Sequence, residues 1–390
     1  MKAKIFGPED SNLLIKDVTK EVADQVIAHK PRWLAVASRY KRVYPFKSLA
    51  AHVIGVTNEE GVGLSGLELS FNDQLSGTRG KYVLDTDLHG NALALSDSKR
   101  YPAMDGDLVQ STVDLNIQQY TETWDQACFD DVKPKRVIMI VMETKTGEIK
   151  AFAAPPSFDL NKPTELPGIE GLSGEDYVNH LYSYWGNPGM EALFEPGSIG
   201  KLLTVAAALE DNSITMDTQF YCEGYYHFPE DDTQLECWIY PRAHGYQDTT
   251  HALMNSCNPS FIQMGRMMDK GRLYHYHQAF GLDRRSRMPL GNETYPVLFE
   301  PPTVVDEAAH TYGYGYTVTP LQMLAAVNAV VNDGLYMEPH IHKKVTSPVT
   351  DQDQAPVTGE AEEQKKEEDL KPKALRQVIS PRTSELVRGM

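Results

Sequence analysis

The stretch that most restricts the fold is Val137–Ala154, VIMIVMETKTGEIKAFAA. VIMIVM is apolar and rich in β-branched residues, and IKAFAA follows after a short polar gap. Such a pair reads as two strands, and the glycine between them, Gly147, is free to take the positive φ of a tight turn. The spacing predicts an antiparallel β-hairpin over residues 137–154, with Lys145-Thr146-Gly147 in its turn.

Helical patterns surround that hairpin. DLVQSTVDLNIQQYTETWDQACFDD offers Thr112 or Asp114 as a cap, with Ile117, Tyr120, Thr121 and Trp124 on one side. GSIGKLLTVAAALEDN predicts a helix from Ser198 to about Asn212, with an apolar stripe of Ile199, Leu202, Leu203, Ala206 and Leu209. TPLQMLAAVNAVVNDG predicts another, with Thr319 as cap, Pro320 in the first turn and Gly334 past the end. Residues 1 to about 50 carry weaker helical signals, such as DVTKEVADQVIAHK. The glycine-punctuated HVIGVTNEEGVGLSGLELSFNDQLSGTRGKYVLDTDLHGN reads as strands, turns and loops. Residues 351–372, DQDQAPVTGEAEEQKKEEDLKP, are nearly free of large apolar groups and read as an exposed or disordered acidic insertion.

Composition excludes several classes. The net charge of −17 lacks the basic clustering of a nucleic-acid footprint. No apolar run is long enough to span a bilayer, and MKAKIFGPEDSN has no apolar core of a signal peptide. The cysteines, Cys128, Cys222, Cys237 and Cys257, form no C-x-x-C pair, so neither a zinc site nor any other cofactor is expected. Cys222 and Cys237 bracket a loop-like segment. They read either as two separate buried thiols or, in an oxidising compartment, as a disulfide.

Two short motifs carry chemistry. Ser198-Ile199-Gly200-Lys201 opens the 198–212 helix, and positions i and i+3 lie one turn apart on one face. The ammonium therefore lies beside the hydroxyl. Burial would depress its pKa so that it can act as the base for a serine nucleophile. Ser38–Lys41 and Ser96–Lys99 have the same spelling, but neither opens an amphipathic helix. Ser256-Cys257-Asn258 follows in HALMNSCNPSF, where a hydroxyl can relay a proton and an amide can hold a peptide group. Ser70-Phe71-Asn72 repeats that spelling upstream of the candidate nucleophile. His244 and His251 flank the second motif and read as loop or packing residues.

Taken together, these segments resemble the class B penicillin-binding proteins, the peptidoglycan D,D-transpeptidases. RVYPFKSLAAHVIGVT, GLSGLELSFNDQLSGTRG and DGDLVQSTVDLNIQQ look like the pedestal domain and its exit. VMETKTGEIKAFAAPPSFDLN, FEPGSIGKLLTVAAALE, the CEG…CW…HG…NSCNPSF run and YGYGYTVTPLQMLAAVNAVVNDG look like successive parts of the transpeptidase domain, in the family's order. The resemblance implies an α+β fold of the penicillin-binding transpeptidase and serine β-lactamase type, an antiparallel sheet with helices on both faces. A partial dimerisation-type pedestal would occupy residues 1–111 and the transpeptidase domain residues 112–390.

It also implies roles. Ser198 would be the acylated nucleophile, Lys201 its base, Ser256 the proton relay and Asn258 the holder of the acyl-side amide, with the Ser198 backbone N–H as one oxyanion donor. Implied ligands are stem peptides ending in D-Ala-D-Ala and β-lactams. Implied partners are glycosyltransferase, divisome or elongation-machinery membrane proteins, at the extracytoplasmic face of a bacterial membrane. A serine β-lactamase-like hydrolase and a non-catalytic penicillin-binding scaffold or sensor are the alternatives.

In the family the catalytic K-T-G follows both other motifs and is itself followed by a hydroxyl residue that helps bind a carboxylate. Here Lys145-Thr146-Gly147 comes first and is followed by Glu148, which would repel that carboxylate. The tripeptide is therefore expected to be a turn only. The expectation is then of a piece lacking the membrane anchor and the K-T-G strand, poorly active and poorly stable by itself.

Overall fold

The structure is a computed structural model, and it describes residues 15–16, 18–29, 34, 36, 41–83, 99–230, 232–347 and 367–390. Contacts divide the chain into Met1–Arg42 and Val43–Met390. The described part of the first unit contains the helix Lys20–Ala28, whose N-cap Thr19 accepts from the backbone N–H of Val22. The Ser38–Lys41 and Ser96–Lys99 spellings are interrupted by positions outside the described residues, and so is most of the 351–372 stretch.

The second unit begins with short helices, Ala51–Ile54, Gly66–Ser70 and Asn72–Leu75, where the sequence suggested strands, turns and loops. Glycine spacing explains the difference. Gly55 and Gly66 have φ of +78° and +58°, and a Cβ on Gly55 would lie 1.9 Å from the Ser65 carbonyl oxygen. Gly55 ends one short helix and Gly66 opens the next, and without a Cβ the two can cross at backbone contact. Ser70-Phe71-Asn72 is spent here, because Asn72 Oδ1 accepts from the Gly63 N–H at 2.9 Å.

The predicted hairpin is present. Met139–Met142 pairs antiparallel with Ile149–Ala153, in the register Ile140 to Phe152 and Val141 to Ala151. Gly147 has a φ of +80° in the connection. The helix Leu115–Val132, capped by Asp114 through the N–H groups of Asn116 and Ile117, packs on this hairpin. Its inward face differs from the expected one. Gln118, Thr121 and Asp125 are buried, while Tyr120 and Trp124 are exposed. Gln118 decides this orientation, since its amide pairs with both the N–H and the C=O of Phe152 at 2.8 Å, as a neighbouring strand would.

The helix Lys201–Glu210 is preceded by a 3₁₀ turn over Gly197–Gly200. It is buried nearly all round rather than along one stripe, from Leu203 to Leu209. Helices Asn258–Met267, Arg272–Ala279, Pro320–Val331 and Pro381–Arg388 pack around it. Ala206, Ala207 and Ala208 are small enough to let several helices approach at once. Ile199, placed in the stripe by its spacing, lies in the 3₁₀ turn and is exposed. Pro320–Val331 carries the expected Thr319 cap, completed by Gln322 as a capping box.

Two further differences bear on the site. The segment between Cys222 and Cys237 is not merely loop. Tyr225–His227 pairs with Gln234–Glu236, and Phe220–Cys222 pairs with Gly245–Gln247. Within the acidic stretch, Glu367–Asp369 pairs with Lys344–Thr346, so that end of it belongs to a sheet with Leu108–Ser111. Backbone pairing there needs no apolar side chains, which is why composition concealed it. Among the described residues, no helix is long and apolar enough to cross a membrane.

Candidate active site

The 3₁₀ turn places Ser198 at the surface and Lys201 in the interior, where the lysine is 1% exposed. The turn is held from the far side by Gly313. Gly197 N–H donates to the Gly313 carbonyl at 2.9 Å, and a Cβ on Gly313 would stand 2.0 Å from the Gly197 carbonyl oxygen. Glu195 fixes the same contact by accepting from the Gly315 N–H at 2.9 Å.

The second motif enters on a sharp bend. The helix Thr249–Met254 ends, Ser256 takes a φ of +48°, and Asn258–Met267 begins with Cys257 as its N-cap residue and Pro259 in its first turn. A left-handed serine costs of order 1–3 kcal/mol and persists only where its surroundings hold it. Ser256 and Asn258 thereby meet Lys201, while Cys257 lies buried behind them.

All four candidates come together. Lys201 Nζ donates to Asn258 Oδ1 at 2.7 Å, to the Ser256 carbonyl at 2.8 Å, to Ser256 Oγ at 3.0 Å and to Ser198 Oγ at 3.3 Å. Ser256 Oγ donates to Ser198 Oγ at 2.9 Å. The ammonium also lies over the Phe261 ring, 5.6 Å from its centroid. Burial pulls the Lys201 pKa down to about 8. A fraction of roughly a tenth is then the free amine at pH 7. This arrangement can take a proton from Ser198 and offer a second hydroxyl as a path for returning it.

Lys145-Thr146-Gly147 forms the turn of the hairpin. Gly147 N–H donates to Glu143 O at 2.9 Å, closing the turn, and the 65% exposed Lys145 side chain pairs with Asp333 at 2.7 Å. Gly313, Glu195 and Phe261 were not singled out by sequence. The Y-G-Y-G run at 312–315 was the available signal, since paired glycines mark a close backbone approach.

Spacing alone argued against a metal, yet the fold gathers Cys222, Cys237, His244 and Cys257, whose ligand atoms all lie within 4.8 Å of one another. The thiols are unbonded, so Cys222 and Cys237 are not a disulfide here. His244, read as a packing residue, faces both of them. His251 instead pairs with the cap of its own helix, Asp248, whose carboxylate accepts from the His251 backbone N–H at 2.8 Å and lies 2.7 Å from its Nδ1.

Known proteins resemble this chain over most of its length. The model of the penicillin binding protein transpeptidase domain matches residues 137–390, and that of the penicillin-binding protein dimerisation domain matches residues 7–111. Stage V sporulation protein D of Bacillus subtilis is 31% identical over 96% of this chain and 54% of its own length. Peptidoglycan D,D-transpeptidase MrdA of Escherichia coli is 26% identical over 77% of this chain and 51% of its own. The chain spans about half the length of the curated relatives it matches. Among solved structures, penicillin binding protein 3 of Mycobacterium tuberculosis superposes with a TM-score of 0.68 at 26% identity, covering 89% of this chain and 68% of that one. A peptidoglycan synthetase from Bifidobacterium adolescentis shares the fold, with a TM-score of 0.74 at 21% identity over 96% of this chain and 63% of that one.

Proposed function

This chain belongs to the penicillin-binding protein transpeptidase family, and from that premise we propose that its protein cross-links peptidoglycan by D,D-transpeptidation through an acyl-serine intermediate. The observation that carries the reading is the buried Lys201, bonded at once to Ser198, Ser256 and Asn258.

The free amine of Lys201 takes the proton of Ser198 Oγ as that oxygen attacks the carbonyl of a D-Ala-D-Ala peptide. The Ser198 N–H steadies the oxyanion, and Asn258 holds the acyl-side amide. Ser256 passes the proton to the departing D-alanine, leaving the acyl-serine. A second stem peptide's amine then attacks, with the same groups acting in reverse. A β-lactam follows the first half only, because its leaving nitrogen remains tethered. Penicillin binding protein 3 of M. tuberculosis has been solved with ampicillin and with aztreonam, which supports β-lactams as ligands here.

The pedestal is assigned to residues 1–111 and the transpeptidase domain to residues 112–390, with a place on the outer face of a bacterial membrane beside the glycan-polymerising machinery. The whole protein containing this chain, given a D-Ala-D-Ala stem peptide and an amine acceptor, is expected to release D-alanine and form the cross-linked product. Hydrolysed peptide alone would point to a hydrolase. Penicillin binding without either product would point to a scaffold or sensor.

A further inference from the structure

We propose that Cys222, Cys237, His244 and Cys257 form a structural zinc site. The sequence scatters them, but pairing assembles them. Phe220–Cys222 lies against Gly245–Gln247, with Cys222 opposite Gly245, so His244 comes beside Cys222. Cys237 follows the strand Gln234–Glu236, and its N–H donates to the Gly224 carbonyl at 2.8 Å, turning it back onto Cys222. Cys257 arrives from the other side, at the start of Asn258–Met267. All three thiols are at most 2% exposed.

Two of the ligand-atom distances match those of a zinc centre, and all lie within 4.8 Å. Tetrahedral zinc has bonds of roughly 2.3 Å to sulfur and 2.0–2.1 Å to nitrogen, so its ligand atoms stand roughly 3.5–3.8 Å apart. Cys222 Sγ and Cys237 Sγ are 3.7 and 3.6 Å from His244 Nδ1. A set of three sulfurs and one nitrogen fills four positions with soft and borderline donors, which selects zinc over magnesium or calcium. With four protein ligands the site is closed, hence structural rather than catalytic. On binding, the three thiols release their protons to solvent and Zn²⁺ takes three thiolates and a neutral imidazole.

The site joins two strand pairs to the bend that carries Ser256 and Asn258, because Cys257 stands between them. It would hold that bend from behind, as Lys201 holds it in front. The metal site itself does not depend on the transpeptidase reading.

The test measures zinc in the whole protein purified under reducing conditions without chelator. About one zinc per chain is expected. Cys128→Ser should keep it, since Cys128 lies outside the cluster. Cys237→Ser and His244→Ala should each weaken zinc binding by about tenfold or more. A second reading needs no variant to fold. Wild-type protein stripped by chelator and titrated with cobalt(II) should show sulfur-to-cobalt charge transfer and tetrahedral d–d bands, which zinc abolishes. Wild-type protein that takes up neither ion overturns the site, whether its denatured form shows four reactive thiols or its peptide map shows a Cys222–Cys237 disulfide. Zinc content unchanged in the Cys237→Ser/His244→Ala double variant overturns it too.

Discussion

Lys201 and Lys145 each stand in a spelling of the same enzyme signature, S-x-x-K and K-T-G, and their surroundings are opposite. Lys201 is enclosed, meets four oxygens and has its pKa pulled down by burial. Lys145 projects from a hairpin turn into solvent and meets one carboxylate, Asp333. Both are lysines in short motifs, but only the first has lost enough water for its neutral form to matter at physiological pH. Letters propose a role, and desolvation decides it.

That contrast can be broken at its strongest point. Lys201→Ala should slow acylation by labelled penicillin by about 10³-fold, the scale of a general base, with little change in circular dichroism. In the unaltered protein, acylation should rise with pH through about 8, as the amine loses its proton. Below that pH the buried ammonium opposes folding. Stability should therefore rise between about 8 and the ordinary lysine range near 10.5, where the unfolded chain binds more protons than the folded one. A pH profile flat across this window would contradict the burial argument.

Smaller effects sharpen it. Ser256→Ala should cost about 10²-fold in acylation, as loss of a proton relay does. Gly313→Ala forces a Cβ against the Gly197 carbonyl at a φ of +87°. It should lower stability by about 1–3 kcal/mol, seen in denaturant unfolding, and slow acylation because the Ser198 turn must move. Lys145→Ala is the smallest change. Acylation should stay within about twofold and stability within about 1 kcal/mol, the value of an exposed ion pair. A large loss of acylation in that variant would return Lys145-Thr146-Gly147 to the site.

How far the sequence disclosed these features follows from their range. Ser198 and Lys201 are one helical turn apart, and Ser256 and Asn258 flank a single residue, so local spacing places each pair. The hairpin was legible for the same reason, with two apolar runs and one glycine. The face of Leu115–Val132 was not, because its buried residues include Gln118 and Asp125, and Gln118 is bound to a strand edge that periodicity does not reveal. Nor was the cysteine cluster. Its members come from separate segments brought together by three-residue strands too short to announce themselves. Gly313 escaped because its constraint is a backbone contact across the fold.

The central claim is that Ser198 is the residue acylated when Lys201 takes its proton. Incubating the whole protein with labelled penicillin, digesting it and mapping the adduct by peptide mass tests this directly. The label should sit on Ser198 and vanish in Ser198→Ala that retains the native circular dichroism spectrum. Label on Ser256 or any other residue, or undiminished label in Ser198→Ala, would contradict the assignment.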